Sequence, residues 1–401
     1  MAWIESLQLT NFRSYSTVAL DGLPSGPVVL YGSNGAGKTN VLEALSFLSP
    51  GRGLRGAKVL EVQRKTPHPG PLPPGEGGTR TLVREGEGAS WAVSAQVQTP
   101  YGAMRLGTGR DPQSERRIVR INGEPAKSQA AMAEYLSCVW LTPQMDRLFL
   151  DGAGARRRFL DRLVFTFDPS HAGRLTRYDN ALSQRAKILR EHNNPDPSWL
   201  QALEATMAET GIAITATRAD FIRRLQAASR RADAAGDPLF PHASLTIAGT
   251  VDELLRNAPA LEVEALFKYQ LRQTRAQDGL NGGAATGPHR SDFLVRFTAK
   301  DMPASQCSTG EQKALLIGIV LAHARLVAAE RGAPPVLLLD EVAAHLDETR
   351  RAGLFALLLE LGGQVWMTGT DSSLFFHIAE KSRLFEVRDS AIFPDARRNA
   401  A

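Results

Sequence analysis

Gly32-Ser33-Asn34-Gly35-Ala36-Gly37-Lys38-Thr39 decides the reading of this 401-residue chain. The octet fits G-x-x-x-x-G-K-[ST] in full, the phosphate-binding loop of nucleotide-binding proteins. Its glycines allow positive φ, so successive backbone N–H groups can turn toward phosphate oxygens. The helix that follows adds the positive end of its dipole. In that pattern Gly32 to Thr39 cradle ATP, Lys38 bridges the β- and γ-phosphates, and Thr39 offers its hydroxyl to Mg²⁺. The context agrees. An apolar strand VVLY precedes the loop, and Val41 to Leu48 carries Leu42, Leu45 and Leu48 at helical spacing behind it.

Outward from the loop, a second element ends in acids, with Asp340 lying 302 positions downstream of Lys38. Val336 to Leu339 is an apolar strand ending in Asp340-Glu341. This resembles a Walker B element, in which Asp340 holds the Mg²⁺ shell and Glu341 orients or deprotonates the attacking water. That spacing is far longer than a nucleotide kinase or a small GTPase shows. Just upstream, Cys307-Ser308-Thr309-Gly310-Glu311-Gln312 opens the apolar helix KALLIGIVLAHARL and resembles the ABC-type signature. Ser308 and the backbone of Gly310 would there bind the nucleotide of a second subunit. Ser308 also reads as an N-cap, with Glu311 completing a capping box. Ala344-His345-Leu346-Asp347 resembles a D-loop, with Ala344 where Ser is usual and Asp347 left to make the contact across the dimer. Gln144, after the strand CVWLT, stands where a Q-loop would. The position after strand QVWMT carries Gly369-Thr370-Asp371 in place of a transporter's histidine, so slow hydrolysis is expected.

Composition sets the remaining bounds. The chain holds 43% hydrophobic and 22% charged residues, an ordinary globular balance with length for two or three units. No apolar run reaches the roughly 18 residues of a membrane span, since His323 and Arg325 interrupt the richest stretch, Leu315 to Ala329. The start MAWIESLQLTNFRSY shows no secretory signal, and two distant cysteines exclude a disulfide scaffold, so a reducing cytoplasm is expected. The net charge of +5 comes from 38 Arg and 9 Lys. It is concentrated between Arg147 and Arg190, where ten basic residues face four aspartates.

Along the chain, β-like text (Trp91, Val93, Ala95, Val97 on one face; RRIVRI before Asn122-Gly123) leads to a core strand Cys138 to Leu141. Helical periodicity runs from about Gly152 to Gln277. The final hundred residues alternate strand and helix: 293–297, from about 310, 336–339, 349–361 and 364–368. The expected fold class is α/β: an ABC-type P-loop ATPase head, with a mixed sheet, flanking helices and an antiparallel β part, interrupted by an inserted helical arm. The expected boundaries are 1–148 for the N-terminal part of the head, 149–285 for the arm, and 286–401 for the C-terminal part. The proline- and glycine-rich stretch Thr66 to Gly78 reads as a surface insertion.

Beyond single motifs, the chain is similar to the RecF family along almost its whole length. The matching segments are LQLTNFRSY, YGSNGAGKTNVLEALSFLSPGRGLR, RINGEPAK, LTPQMDRLFLDGAGARRRFLDRL, GPHRSDF at 287–293, STGEQKALL and LLLDEVAAHLD. The resemblance implies an ATP-dependent homodimer on single-strand/duplex DNA junctions, working with RecO and RecR to place RecA on gapped DNA, in replication restart and SOS induction. It implies a weak ATPase with no nuclease or helicase activity, cytoplasmic and associated with the nucleoid. A transporter subunit would be shorter with a histidine switch, an SMC-type arm would need long heptads, and a nuclease would need carboxylates beyond Asp371, Glu380 and Glu386. Arg156, Arg157 and Arg158 are candidate DNA contacts; the alternative is a solvated helix face paired with Asp151 and Asp161. His289 and Arg290 are either a turn with a satisfied histidine or a ligand contact. By analogy with related heads, Arg13 reaches the nucleotide base edge.

Overall fold

The structure is a computed structural model that describes residues 2–64, 90–114, 116–191, 196–233 and 239–395. The stretch Thr66 to Gly78 lies outside the described residues. In chain order the elements are β1 (Trp3–Phe12), β2 (Tyr15–Leu20), β3 (Pro27–Tyr31), α1 (Lys38–Ser46), β4 (Ala92–Thr99), β5 (Gly102–Arg110), β6 (Arg117–Ile121), β7 (Glu124–Pro125) and β8 (Cys138–Leu141). Then come α2 (Ala153–Phe167), α3 (Ser170–Glu191), α4 (Pro197–Asp233), β9 (Ala243–Ala248), α5 (Thr250–Asn257), α6 (Ala260–Gln273), α7 (Arg275–Asn281), β10 (Asp292–Phe297), β11 (Met302–Pro303) and α8 (Thr309–Arg331). The chain ends with β12 (Val336–Leu339), α9 (Glu348–Leu361), β13 (Val365–Gly369), β14 (Arg383–Arg388) and β15 (Ala391–Pro394).

Two compact units emerge, one of residues 1–140 with 336–401 and the other of 141–335. The first holds a mixed sheet in the order β15-β14-β3-β13-β12-β8 and a sheet in the order β2-β1-β4-β5-β6-β7. The strands β3, β12 and β13 are apolar along nearly their whole length because parallel central strands are covered on both faces. The second sheet alternates instead, with Val93, Ala95 and Val97 buried and Ala92 exposed, as a half-solvated antiparallel sheet should. Its buried face meets α1 through Phe12, Phe47 and Trp91, whose rings lie 5.4–5.8 Å apart at steep angles. Edge-to-face pairs of this kind each add about 1 kcal/mol beyond their area burial.

Beside this cluster Arg117 of β6 sits over the Phe47 ring, 5.0 Å from its centroid, and donates to the carbonyls of Phe47, Ser49 and Gly51. Those carbonyls belong to the turns that follow the last residue of α1, Ser46. Arg117 thus fastens the end of the phosphate-loop helix to the antiparallel sheet. Arg117→Ala is expected to cost roughly 3 kcal/mol, because several carbonyls lose a charged donor at once. Denaturant melts at constant slope measure this; a loss near zero would mean that water replaces the guanidinium.

The second unit is built on the α3–α4 hairpin, whose Tyr178, Met207 and Ile214 pack with Val263, Phe267 and Leu271 of α6. One expectation is corrected here. The span from Gly152 to Gln277 is not helical throughout: Ala243–Ala248 is a strand, pairing antiparallel with β10 from Asp292↔Ala248 to Phe297↔Ala243. Leu245 and Ile247 are buried while Thr246 is exposed, a period of two too short to stand out in a helical neighbourhood. Strand β10 therefore joins a three-stranded sheet, β11-β10-β9, and not the parallel one. The divisions after residues 140 and 335 also differ from the expected 148 and 285. The segment 286–335 lies with the helices because α8 packs on α4, with the Phe221 and His323 rings 5.7 Å apart. Helix α8 is 23 residues long and apolar enough to cross a membrane by length and composition, but most of it is buried in the fold.

Candidate nucleotide-binding site

The phosphate loop leaves β3 and enters α1 in the conformation its glycines permit. Gly32 has φ +148°, and a Cβ there would stand 2.2 Å from the Val387 carbonyl oxygen. Gly37, at φ +114°, caps α1, and a Cβ there would stand 2.7 Å from the Tyr15 hydroxyl. Any side chain at either position would push the loop off its neighbours. Within the loop, Lys38 is buried and its ammonium donates to the Gly32 and Ser33 carbonyls at 2.6 and 2.8 Å. Burial lowers its pKa, while Glu341 and Asp340 act in the opposite direction.

The carboxylate end of β12 meets the loop from the other side. Thr39 Oγ1 donates to Asp340 Oδ1 at 2.9 Å, and Thr368 Oγ1 donates to the same oxygen at 2.7 Å. Parallel pairing explains the second contact, since Leu339 lies opposite Met367 and the next pair is Asp340 and Thr368. Asp340 is buried, which raises its pKa despite the two hydroxyl donors, and Glu341 adds to the rise. A buried carboxylate raised by desolvation and by a neighbouring acid is a group that a cation would relieve. Glu341 itself has φ +54°, uncommon outside glycine, and its N–H donates to Thr368 Oγ1 at 2.9 Å. Thr368 was not among the residues singled out from sequence; only the strand register reveals it.

A hydroxyl and a carboxylate 2.9 Å apart beside a phosphate cradle are the kind of oxygen ligands that Mg²⁺ takes together with nucleotide phosphates. Among the described residues no group of three or more His, Cys, Asp or Glu could hold a metal by itself.

Other sequence candidates fall elsewhere. Arg13 makes a bidentate pair with the buried Glu43 of α1 at 2.7 and 2.9 Å and donates to the Glu61 carbonyl, so its donors are committed inside the fold. Asp371 caps the following turn by accepting from Ser373 N–H, and Thr370 is exposed. In the second unit, Ser308 is the N-cap of α8 with both halves of its capping box formed with Glu311. Hydrogen bonds from Lys300 and Ser308 hold Glu311 down at about 2. Gln144 lies exposed on the turn Pro143–Arg147. In the first unit, Asp347 caps α9 through Arg350 N–H at 2.8 Å.

The three consecutive arginines do not share one open face. Arg156 forms a bidentate pair with Asp292 at 2.7 and 2.8 Å, and Arg157 donates to the Ser291 carbonyl. Asp161 is bonded by both Arg218 and His171, and Asp151 accepts from Arg156 at its backbone carbonyl. Arg158 alone of the three is exposed. Residues distant in sequence cause this, because β10 brings Asp292 against α2.

His289 is a satisfied structural histidine. Its Nε2 faces the Ala284 carbonyl at 3.0 Å, so it carries the proton, and Nδ1 accepts from the Tyr178 hydroxyl at 2.7 Å. Burial pushes its pKa down to about 4, and that of the fully buried His323 to about 3. Both are neutral in the fold, whereas an unfolded histidine titrates near 6.5, so the unfolded chain binds more protons below that pH. Stability is then full above about pH 6.5 and falls as pH drops toward 4. Thermal melts across this range check it, and His289→Asn should flatten the slope.

Residues 3–392 match the RecF/RecN/SMC N terminal domain. The chain is 45% identical to the DNA replication and repair protein RecF of Mesorhizobium japonicum, over 98% of this chain and 97% of that protein. It is 43% identical to the protein of the same name from Rhizobium meliloti, over 97% and 98%. A solved structure of the recombination mediator protein RecF with ATP, from the RecFOR pathway, superposes with a TM-score of 0.80 over 98% of both chains at 22% identity.

Proposed function

The chain belongs to the RecF family, and from that premise we propose an ATP-dependent DNA-binding protein of gap and recombinational repair in which ATP serves as a dimerisation switch. One observation carries the reading: the Thr39 and Thr368 hydroxyls converge on one carboxylate oxygen of Asp340 beside the Gly32–Thr39 cradle. The relatives named as DNA replication and repair proteins, and the RecF structure described with ATP, supply the biological setting.

In this reading the loop N–H groups bind the phosphates, and Lys38 moves from the Gly32 and Ser33 carbonyls onto them. Thr39 and Asp340 would hold Mg²⁺, which would supply charge neutralisation at the transferred phosphoryl group. Glu341, its backbone held by Thr368, aligns a water and accepts its proton. Gln144 reads the chain's own nucleotide. Ser308, Gly310 and Asp347 meet the nucleotide of a second copy, so the signature segment counts functionally with the ATPase head while it packs with the helices. Without a histidine after β13, turnover is slow, and neither nuclease nor helicase activity is expected. The DNA is gapped or junction duplex, with Arg158 the exposed candidate of its triplet. RecR is the direct partner, with RecO and RecA in the same pathway, and the site of action is the cytoplasmic nucleoid, with no membrane involved.

Sedimentation with and without ATP tests the reading. The expected result is a monomer-to-dimer shift with DNA binding rising in parallel; a monomer in saturating ATP and DNA would overturn it.

A further inference from the structure

Lys313 is placed where helix stability does not call for it. It follows Ser308 by five residues, in the second turn of α8, and a cation so near a helix start gains nothing from the macrodipole. Its side chain is also withdrawn from water, retaining 10% exposure. What holds it is Asp146, whose Oδ2 accepts from Lys313 Nζ at 3.2 Å. Asp146 belongs to the turn Pro143–Arg147, two residues after Gln144.

Each end of this pair has further bonds beside it. On the α8 side, Gln312 Nε2 donates to the Cys307 carbonyl at 2.8 Å, and the capping box ties Ser308 to Glu311. On the other side, Arg162 of α2 donates to Met145 Sδ at 3.5 Å, beside Asp146. The ion pair is thus a direct side-chain link between the Gln144 turn and the start of α8, two segments that also pack on each other.

We propose that Lys313 and Asp146 are positioning residues that couple Gln144 to the signature residues Ser308 and Gly310 within one chain. This rests on the ATP-sandwich reading above, in which Gln144 reads the chain's own nucleotide and Ser308 the partner copy's. Occupancy of one nucleotide site then sets the placement of the residues that engage the other. Lys313 touches neither nucleotide in this scheme, so its loss leaves nucleotide binding by the monomer intact.

The test uses the full chain with Lys313→Met, which keeps the side-chain length and removes the charge, and the milder Asp146→Asn. ATP affinity is titrated at protein concentrations that keep the chain monomeric, dimerisation is followed by sedimentation in saturating ATP, and thermal melts are run alongside. The expected result is ATP affinity near that of the unsubstituted chain, with dimerisation weakened about tenfold, within the usual range of coupling between sites. The exchange Asp146→Lys with Lys313→Asp should recover much of that loss. Both single variants dimerising like the unsubstituted chain, with only their melting temperatures lowered, would reduce the pair to a structural contact and overturn the proposal. An exchanged pair no better than the single variants would overturn it as well. An unsubstituted chain that stays monomeric in ATP would overturn the sandwich reading, and this proposal with it.

Discussion

Glu341→Gln is expected to lower ATP turnover by about 10²- to 10⁴-fold, the usual contribution of a positioned general base, while leaving nucleotide binding in place. Glutamine keeps the shape of the side chain and can follow the same backbone, whose φ of +54° is held by the bond from Glu341 N–H to Thr368 Oγ1. It cannot take a proton from water. Asp340 keeps both of its hydroxyl donors, Thr39 and Thr368, so the proposed metal site is untouched. The nucleotide-bound dimer should then accumulate, visible as a stable faster-sedimenting species with ATP. Phosphate release measured against nucleotide binding separates the two effects, and turnover at the original rate would remove Glu341 from the chemistry.

Lys38→Ala should weaken ATP binding by roughly 100-fold, since charge-assisted hydrogen bonds to phosphate are worth about 1.5–3 kcal/mol each. The loop would keep its path, because the close approaches of Gly32 to Val387 and of Gly37 to Tyr15 do not involve the lysine. What is lost is the cation that now bridges the Gly32 and Ser33 carbonyls. Calorimetric titration gives the affinity, and a thermal melt close to that of the unsubstituted chain shows that the loss is not unfolding. ATP-dependent dimerisation should vanish with binding; a variant that still dimerises on ATP would mean that the phosphates are held elsewhere.

The legible parts were those whose physics is local. Cys138–Leu141 and Val336–Leu339 form strands over the very residues whose unbroken apolar runs suggested them. Ser308 caps α8 because N-cap chemistry acts over three residues. Helix α1 starts three residues earlier than its apolar spacing implied, at Lys38, because the glycine loop itself supplies the cap. The short strand Ala243–Ala248 was hidden, since six alternating residues gain their meaning only from β10, more than forty residues away.

Charged side chains were the least legible. Arginines 156 and 157 read from sequence as possible phosphate contacts, and Arg13 as a base contact. In the fold each is engaged by an acid or a carbonyl that another element delivers: Asp292, Ser291 and Glu43. A guanidinium reaches several ångströms from its backbone, and its choice of partner depends on what the fold places within that reach. The sequence by itself determined the loop that cradles phosphate, the acidic strand end and the capped signature helix, because glycine φ preferences, apolar runs and caps operate over a few residues. Only the tertiary structure decided that Thr368 joins Asp340, that Lys313 meets Asp146, and that Arg156 and Arg157 bond to Asp292 and Ser291. Those pairings depend on strand register and helix packing, which bring together groups that no local rule relates.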